Sequence, residues 1–209
     1  MSKPTSDQIS SSLKKNIYDG VLSAGVPLKQ EELAEQFGVS RIPIREALKK
    51  LEAEGLVKHE PNKGAVVTTH SIPEIIEMLD IRIGLETRAL RLAIPRLTPD
   101  HLDSCQTILE RYDQASKPSV WSALNLEFHL TLYSAAGKPR LLRMIEDLVL
   151  RTQRYTRIYI SHVVGREQPQ REHYELLAAL RAGDEDKAIR LLEEHIAHTQ
   201  QAILAAQDD

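Results

Sequence analysis

The stretch that decides the fold runs from Gln30 to Val67: QEELAEQFGVSRIPIREALKKLEAEGLVKHEPNKGAVV. Its opening residues put Leu33, Ala34 and Phe37 on one side of a short helix, which Gly38 can stop. Val39 and Ser40 then make a tight turn, and Ser40 is expected to cap the next helix through its hydroxyl. That helix, RIPIREALKKLEAEG, accommodates Pro43 because a first-turn amide has no intrahelical partner. Ile44, Leu48 and Leu51 form its buried stripe, and Gly55 ends it. Beyond Gly55 the period changes, and LVKHE and AVVTT read as two short strands joined by the turn PNKG. Upstream, Ile9, Leu13 and Ile17, continued by Val21 and Leu22, predict one more helix closed at Gly25. Helix, helix, turn, helix and hairpin in that order make a winged helix-turn-helix.

From Ser71 onward nothing reads as a strand. Ser71 can cap a helix that runs through IRIGLETRALRLAI to about Pro95, and Thr98 caps the next, PDHLDSCQTILERYD. Lys117–Ser119 is expected to be a loop, followed by NLEFHLTLYSAA closed by Gly137. A long helix from about Pro139, then REHYELLAALRA up to Gly183, then a helix capped by Asp184 complete the chain. About six helices with short connections should pack as an antiparallel bundle. The expected fold is therefore mostly α, with a winged helix-turn-helix over residues 1–70 and an all-helical domain over 71–209.

The 209 residues suit one large domain or two modest ones. No apolar run approaches the roughly 18 residues that span a bilayer, and MSKPTSDQIS lacks the apolar core of a secretory signal. Cys105 is the single cysteine, which excludes an intramolecular disulfide and a cysteine-rich zinc site. A cytoplasmic protein is the expectation. The net charge of −3 hides an asymmetry, because residues up to 70 carry 10 Lys and Arg against 9 Asp and Glu, leaving 17 against 21 beyond. Contact with a polyanion would use a local basic face in the N-terminal part.

Such a face exists. Arg41, Arg45 and Lys49 recur every fourth residue, away from the apolar stripe of the same helix, so one side can be buried while the other meets a groove. The N-terminal end of a recognition helix enters the major groove, where arginine can fork onto guanine O6 and N7 for roughly 1–3 kcal/mol of discrimination. Ser40 and the amides at the helix start suit a phosphate, and Pro43 lies in the same reading segment. Lys63 at the hairpin tip is placed to reach phosphate or the minor groove, and Gly64 lets backbone approach closely.

His129, His173 and His195 stand on three different predicted helices, each within an amphipathic stretch. Three imidazoles converging in a bundle core, with an oxygen from a fourth side chain, would make an N₃O set suited to zinc, nickel or another late divalent metal. Asn125 lies one helical turn before His129 on the same face. Spacing alone favours ordinary core or surface histidines, because the three lie far apart in sequence. His198 follows His195 by three and is expected at the edge of the site or in solvent. Arg82 is either a bidentate anchor for a carboxylate or one half of an i,i+4 pair with Glu86. Arg151, Arg154, Tyr155 and Tyr159 are further pocket candidates.

The string from Gln30 to Val67 resembles the winged helix of the GntR family of bacterial transcription regulators, through VSRIPIREALKKLEAEGLV and the glycine-tipped wing. The resemblance implies a homodimer on a palindromic operator in double-stranded DNA, with Ser40, Arg41, Arg45 and Gly64 at the interface. Glu31 departs from members that carry a basic residue there. Residues from about 73 to 204 resemble the FCD ligand-binding domain of the FadR subfamily, carried by DIRIGLETRALRLAI, NLEFHLTLYSAAGKPRLL and REHYELLAALRAGDEDKAIRLLEEHI. In many members an aspartate and three histidines bind a divalent metal, with a small carboxylate effector at or beside it. His129, His173 and His195 match the histidines, Asn125 stands where the aspartate is usual, and Lys138 replaces a common asparagine. The resemblance implies a ligand-responsive regulator, most often a repressor, with Arg82 as effector anchor. An all-helical metal-dependent enzyme and a regulator that binds effector without metal are the alternatives.

Overall fold

The computed structural model describes residues 3–159 and 167–205. The chain divides into two compact units, residues 1–70 and 71–209. In the first, α1 (Ser6–Tyr18) begins with a capping box in which Thr5 accepts the Gln8 amide and Gln8 reaches back to Thr5. Ile9, Leu13 and Ile17 are buried against Ile44, Leu48 and Leu51 of α3 (Arg41–Ala53), with α2 (Gln30–Phe37) adding Leu33 and Ala34. Gly38 ends α2 at φ +63°, a left-handed conformation that costs glycine nothing.

α1 stops at Tyr18, one turn earlier than its apolar spacing predicts, and Val21 lies 71% exposed. Gly25 does not close that helix. Its amide donates to the Val67 carbonyl (2.9 Å), and the Leu28 amide donates to Ala65 (2.7 Å). Residues 25–28 thus lie along the outer edge of the hairpin, where Pro27, lacking an amide hydrogen, is tolerated. The hairpin pairs β1 (Val57–Glu60) with β2 (Gly64–Val67), antiparallel, with Val57 opposite Val67 and Glu60 opposite Gly64.

A second departure concerns Ser40. It occupies the N-cap of α3 with extended backbone, yet its hydroxyl accepts no helix amide. The capping hydroxyls of Thr5, Ser71 and Thr98 all bind the amide three residues on. At Ser40 that position is Pro43, which has no amide hydrogen to offer.

Among the described residues the second unit has six helices: α4 (Ile72–Ala93), α5 (Pro99–Gln114), α6 (Pro118–Ser134), α7 (Pro139–Tyr159), α8 (Glu167–Arg181) and α9 (Glu185–Ala205). Capping boxes at Ser71/Glu74 and Thr98/His101 open α4 and α5, and the Asp184 carboxylate accepts the Lys187 amide at the start of α9. The loop expected at Lys117–Ser119 is displaced by α6, which starts at Pro118, where proline fits the first turn. α4 packs on α9, α7 and α6, while α5 packs on α6 and α8. Phe128, Leu132, Ile145, Leu192 and Ile203 lie in one continuous core.

Candidate metal centre and nucleic-acid interface

α6, α8 and α9 each bring one histidine to the same point. Ligand atoms of His129, His173 and His195 all lie within 4.8 Å of one another, and the ring centroids are 4.7–5.4 Å apart. His129 and His173 are fully buried, and His195 is half-buried.

The outer partners fix which nitrogen faces inward. The Tyr133 hydroxyl donates to Glu86 Oε2 (2.8 Å), so toward His129 Nδ1 (3.2 Å) it acts as acceptor. The Gln170 amide nitrogen donates to the Leu109 carbonyl (3.0 Å) and to Asp113 (2.9 Å), which turns Gln170 Oε1 toward His173 Nδ1 at 3.5 Å. Glu172 Oε2 accepts a hydrogen bond from His195 Nδ1 at 2.6 Å. Each Nδ1 therefore carries the hydrogen and each Nε2 keeps a lone pair. Among the described residues, Nε2 of His129 and of His173 is buried without a hydrogen-bond partner.

A buried acceptor left unpaired costs about 1–3 kcal/mol, and here two sit side by side next to a third imidazole. Neutral imidazoles backed by hydrogen-bond acceptors are the donor set that late divalent ions take. The residues present therefore fit a metal ion. Burial, then the neighbouring imidazoles and Arg82, holds the His129 pKa well below 6.5; burial and then His195 do the same for His173. Both stay neutral and able to ligate. Burial pushes the Glu172 carboxyl upward, but hydrogen bonds from His195, Gln168 and His198 outweigh it, and the group lies below its ordinary value.

Asn125 is half-buried one turn before His129 and has no hydrogen-bond partner among the described residues. His198 lies at the edge, outside the triad, donating to the other oxygen of Glu172 at 2.8 Å. Lys138 is exposed, and its carbonyl accepts the Leu142 amide at the start of α7.

Arg82 makes the i,i+4 pair with Glu86, but as a buried interaction rather than a solvated one. Its Nε donates to Glu86 Oε1 (2.7 Å) and its Nη1 to Thr152 Oγ1 (3.3 Å). Glu86 is fully buried, so a hydrogen-bonded chain runs Arg82, Glu86, Tyr133, His129. Burial, then Glu86, raises the Tyr133 hydroxyl well above 10 and keeps its proton in place. Glu86, Tyr133, Gln170 and Glu172 did not emerge as site residues from the sequence; their signal was position, Tyr133 one turn after His129 and Glu172 beside His173. Of the other pocket candidates, Arg151 is tied to Asp147 (2.8 Å) and Tyr155 packs against the core. The side chains of Arg154 and Tyr159 lie outside the described residues.

On α3, Ser40, Arg41, Arg45 and Lys49 are exposed, Pro43 is half-buried, and Ile44, Leu48 and Leu51 are buried on the opposite side. Arg41 forms an ion pair with the exposed Glu31. Arg45 and Lys49 have no ion pair among the described residues. At the hairpin tip, Lys63 pairs with Glu60 (3.0 Å), which also holds Lys58 (2.9 Å), and Gly64 sits at φ +74°.

Comparison with known proteins places both units. Residues 5–67 match the family described as bacterial regulatory proteins, gntR family, and residues 77–198 match the FCD domain. The HTH-type transcriptional regulator McbR of Escherichia coli is 34% identical over 185 residues, 86% of this chain and 83% of that protein. The HTH-type transcriptional repressor GlaR of Escherichia coli is 30% identical over 198 residues, 88% of this chain and 89% of the relative. The solved structure of E. coli McbR/YncC superposes with a TM-score of 0.81, covering 98% of both chains at 30% identity. These relatives are transcription regulators, which removes the enzyme alternative. No described helix is long and apolar enough to cross a membrane. The chain belongs to the GntR family of DNA-binding transcription regulators, in the FadR-like group that joins a helix-turn-helix to an FCD domain.

Proposed function

We propose that this chain is a homodimeric, cytoplasmic repressor whose helical domain holds a late divalent metal, zinc or nickel, on His129, His173 and His195. Residues 1–70 bind a palindromic operator, and residues 71–209 carry dimerisation and effector sensing. The observation that supports the metal is the pair of buried, unpartnered Nε2 atoms beside His195. Asn125 offers a neutral carbonyl oxygen as a fourth ligand, so the ion keeps more positive charge than an aspartate would leave it. That favours an anionic effector, a small carboxylate, at or beside the metal. Arg82 contributes to the same anion, since its described partners engage Nε and Nη1 and leave further N–H donors on the guanidinium. Metal, when bound, supplies Lewis-acid attraction for the carboxylate; the protein's residues hold, orient and desolvate it. Ser40, Arg41, Pro43, Arg45, Lys49, Lys63 and Gly64 form the operator-facing surface. The effector releases DNA by binding the DNA-incompetent arrangement of the dimer more tightly.

Elemental analysis of the purified chain tests the metal. A late divalent ion stoichiometric with the chain, lost in His173→Ala, is expected; unchanged content in that variant refutes the site. Organic acids that raise the melting temperature of the metal-loaded chain and weaken its operator binding test the effector.

A further inference from the structure

Ile42, the second residue of α3, is 59% exposed. Exposed apolar residues are common on protein surfaces, and Val21 and Ile81 of this chain are others. The surroundings of Ile42 set it apart. Residues 42, 45 and 49 stand at i, i+3 and i+7 and so share the face of α3 turned away from Ile44, Leu48 and Leu51. Arg45 and Lys49 lie on that face without an ion pair among the described residues, Arg41 precedes it, and the exposed Glu46 and Glu52 flank it. An isoleucine inside a cationic, water-facing stripe gains nothing from its own fold.

The family's recognition helix enters the major groove by its N-terminal residues, which is where Ile42 stands. Isoleucine has no donor or acceptor, so phosphates and base-edge polar atoms are not its targets. The apolar group that a base pair presents in the major groove is the C5-methyl of thymine. The cations around Ile42 favour a polyanion over an apolar protein partner. We propose that Ile42 reads the methyl group of a thymine in each half of the operator, and that this contact sets the preference for T·A over C·G at that position. The inference rests on DNA binding through α3 and adds a specificity-determining residue to it.

The test uses the full chain. Duplexes are selected from a random library, and each thymine of the selected site is replaced in turn by uracil. That change deletes the methyl and keeps every hydrogen-bonding group. Binding is followed by fluorescence anisotropy at fixed salt, with wild type and Ile42→Ala. For wild type, uracil at one position in each half-site weakens binding by about fourfold, the value of one buried methyl or methylene group. For Ile42→Ala, binding to the thymine duplex is already weakened, and uracil at that position has no further effect. Binding to random-sequence DNA is equal for the two proteins, which separates lost readout from lost folding. A selected site at which every thymine tolerates uracil, or at which the variant and wild type lose equally, overturns the inference and leaves DNA binding standing. Failure of the full chain to enrich any sequence overturns the operator-binding reading itself.

Discussion

Replacing Tyr133 by phenylalanine removes one oxygen and almost no volume, so its effects can be assigned to hydrogen bonds. The hydroxyl has two partners: it donates to the buried Glu86 carboxylate and accepts from His129 Nδ1. Loss of the first, a bond to a charged group, costs about 1.5–3 kcal/mol. Without metal, the second loss has a remedy. His129 can move its proton to Nε2 and turn it toward the unpartnered Nε2 of His173, which leaves Nδ1 as the one unsatisfied nitrogen of the pair. The metal-free variant should therefore lose only about 2 kcal/mol, or roughly 5 °C of melting temperature for a domain of this size. A metal bound at Nε2 forbids that remedy. The proton returns to Nδ1, which now has no acceptor, and a further 1–3 kcal/mol, about 5- to 150-fold in affinity, is taken from metal binding. Urea unfolding with and without chelator, joined to metal competition against a chromophoric chelator, reads both parts. Metal affinity equal to wild type would show that Tyr133 does not set the tautomer of His129, and the chain of bonds would lose its functional meaning.

Three further expectations follow from the same geometry. Glu172→Gln removes the anionic acceptor behind His195 and should weaken metal binding about 10–100-fold; His198→Ala, outside the triad, should change it little, and equal effects would contradict that placement. Burial holds His129 and His173 well below 6.5 in the folded chain, so below that pH only the unfolded state binds their protons. Stability of the chelator-stripped chain should thus be complete above that value and fall by about 3 kcal/mol between pH 8 and pH 5.5; denaturant midpoints that do not move across this window would contradict it. Glu31→Gln frees Arg41 from an exposed pair that contributes little to stability. Binding to random DNA should tighten and its salt slope steepen by about 0.9 per protomer, one additional phosphate contact each; an unchanged slope would mean Arg41 never reaches the backbone.

Much of the fold was legible because its signals are local. Glycine stops, first-turn prolines and capping boxes announce themselves over a few residues, and the change of period after Gly55 announced the wing. The departures depend on the absence of an atom or on a distant neighbour. Ser40 looks like a cap, but the amide it should hold belongs to a proline, so the hydroxyl stays free at the N-terminus of α3. Gly25 reads as a helix stop because its partner, the Val67 carbonyl, lies far along the chain. The histidines illustrate the same limit. Each was visible in its own helix, whereas their convergence depends on how α6, α8 and α9 pack, and the acceptors behind them come from α4, α6 and α8.

Those acceptors also bear on what the site would bind. The triad itself contributes three neutral rings, and the negative charge stands one hydrogen bond behind. Glu86 is already engaged by Arg82, so its charge is largely spent before it reaches His129 through Tyr133. Glu172 reaches His195 directly but divides its two oxygens between His195 and His198. With Asn125 in place of a carboxylate, no anionic side chain touches the point where the Nε2 lone pairs converge, among the described residues. An ion held there on the proposed reading would keep most of its charge in a buried setting, where an unbalanced charge is costly. The deficit is what a carboxylate effector would fill, so metal and effector should each tighten the other's binding, and by the same factor.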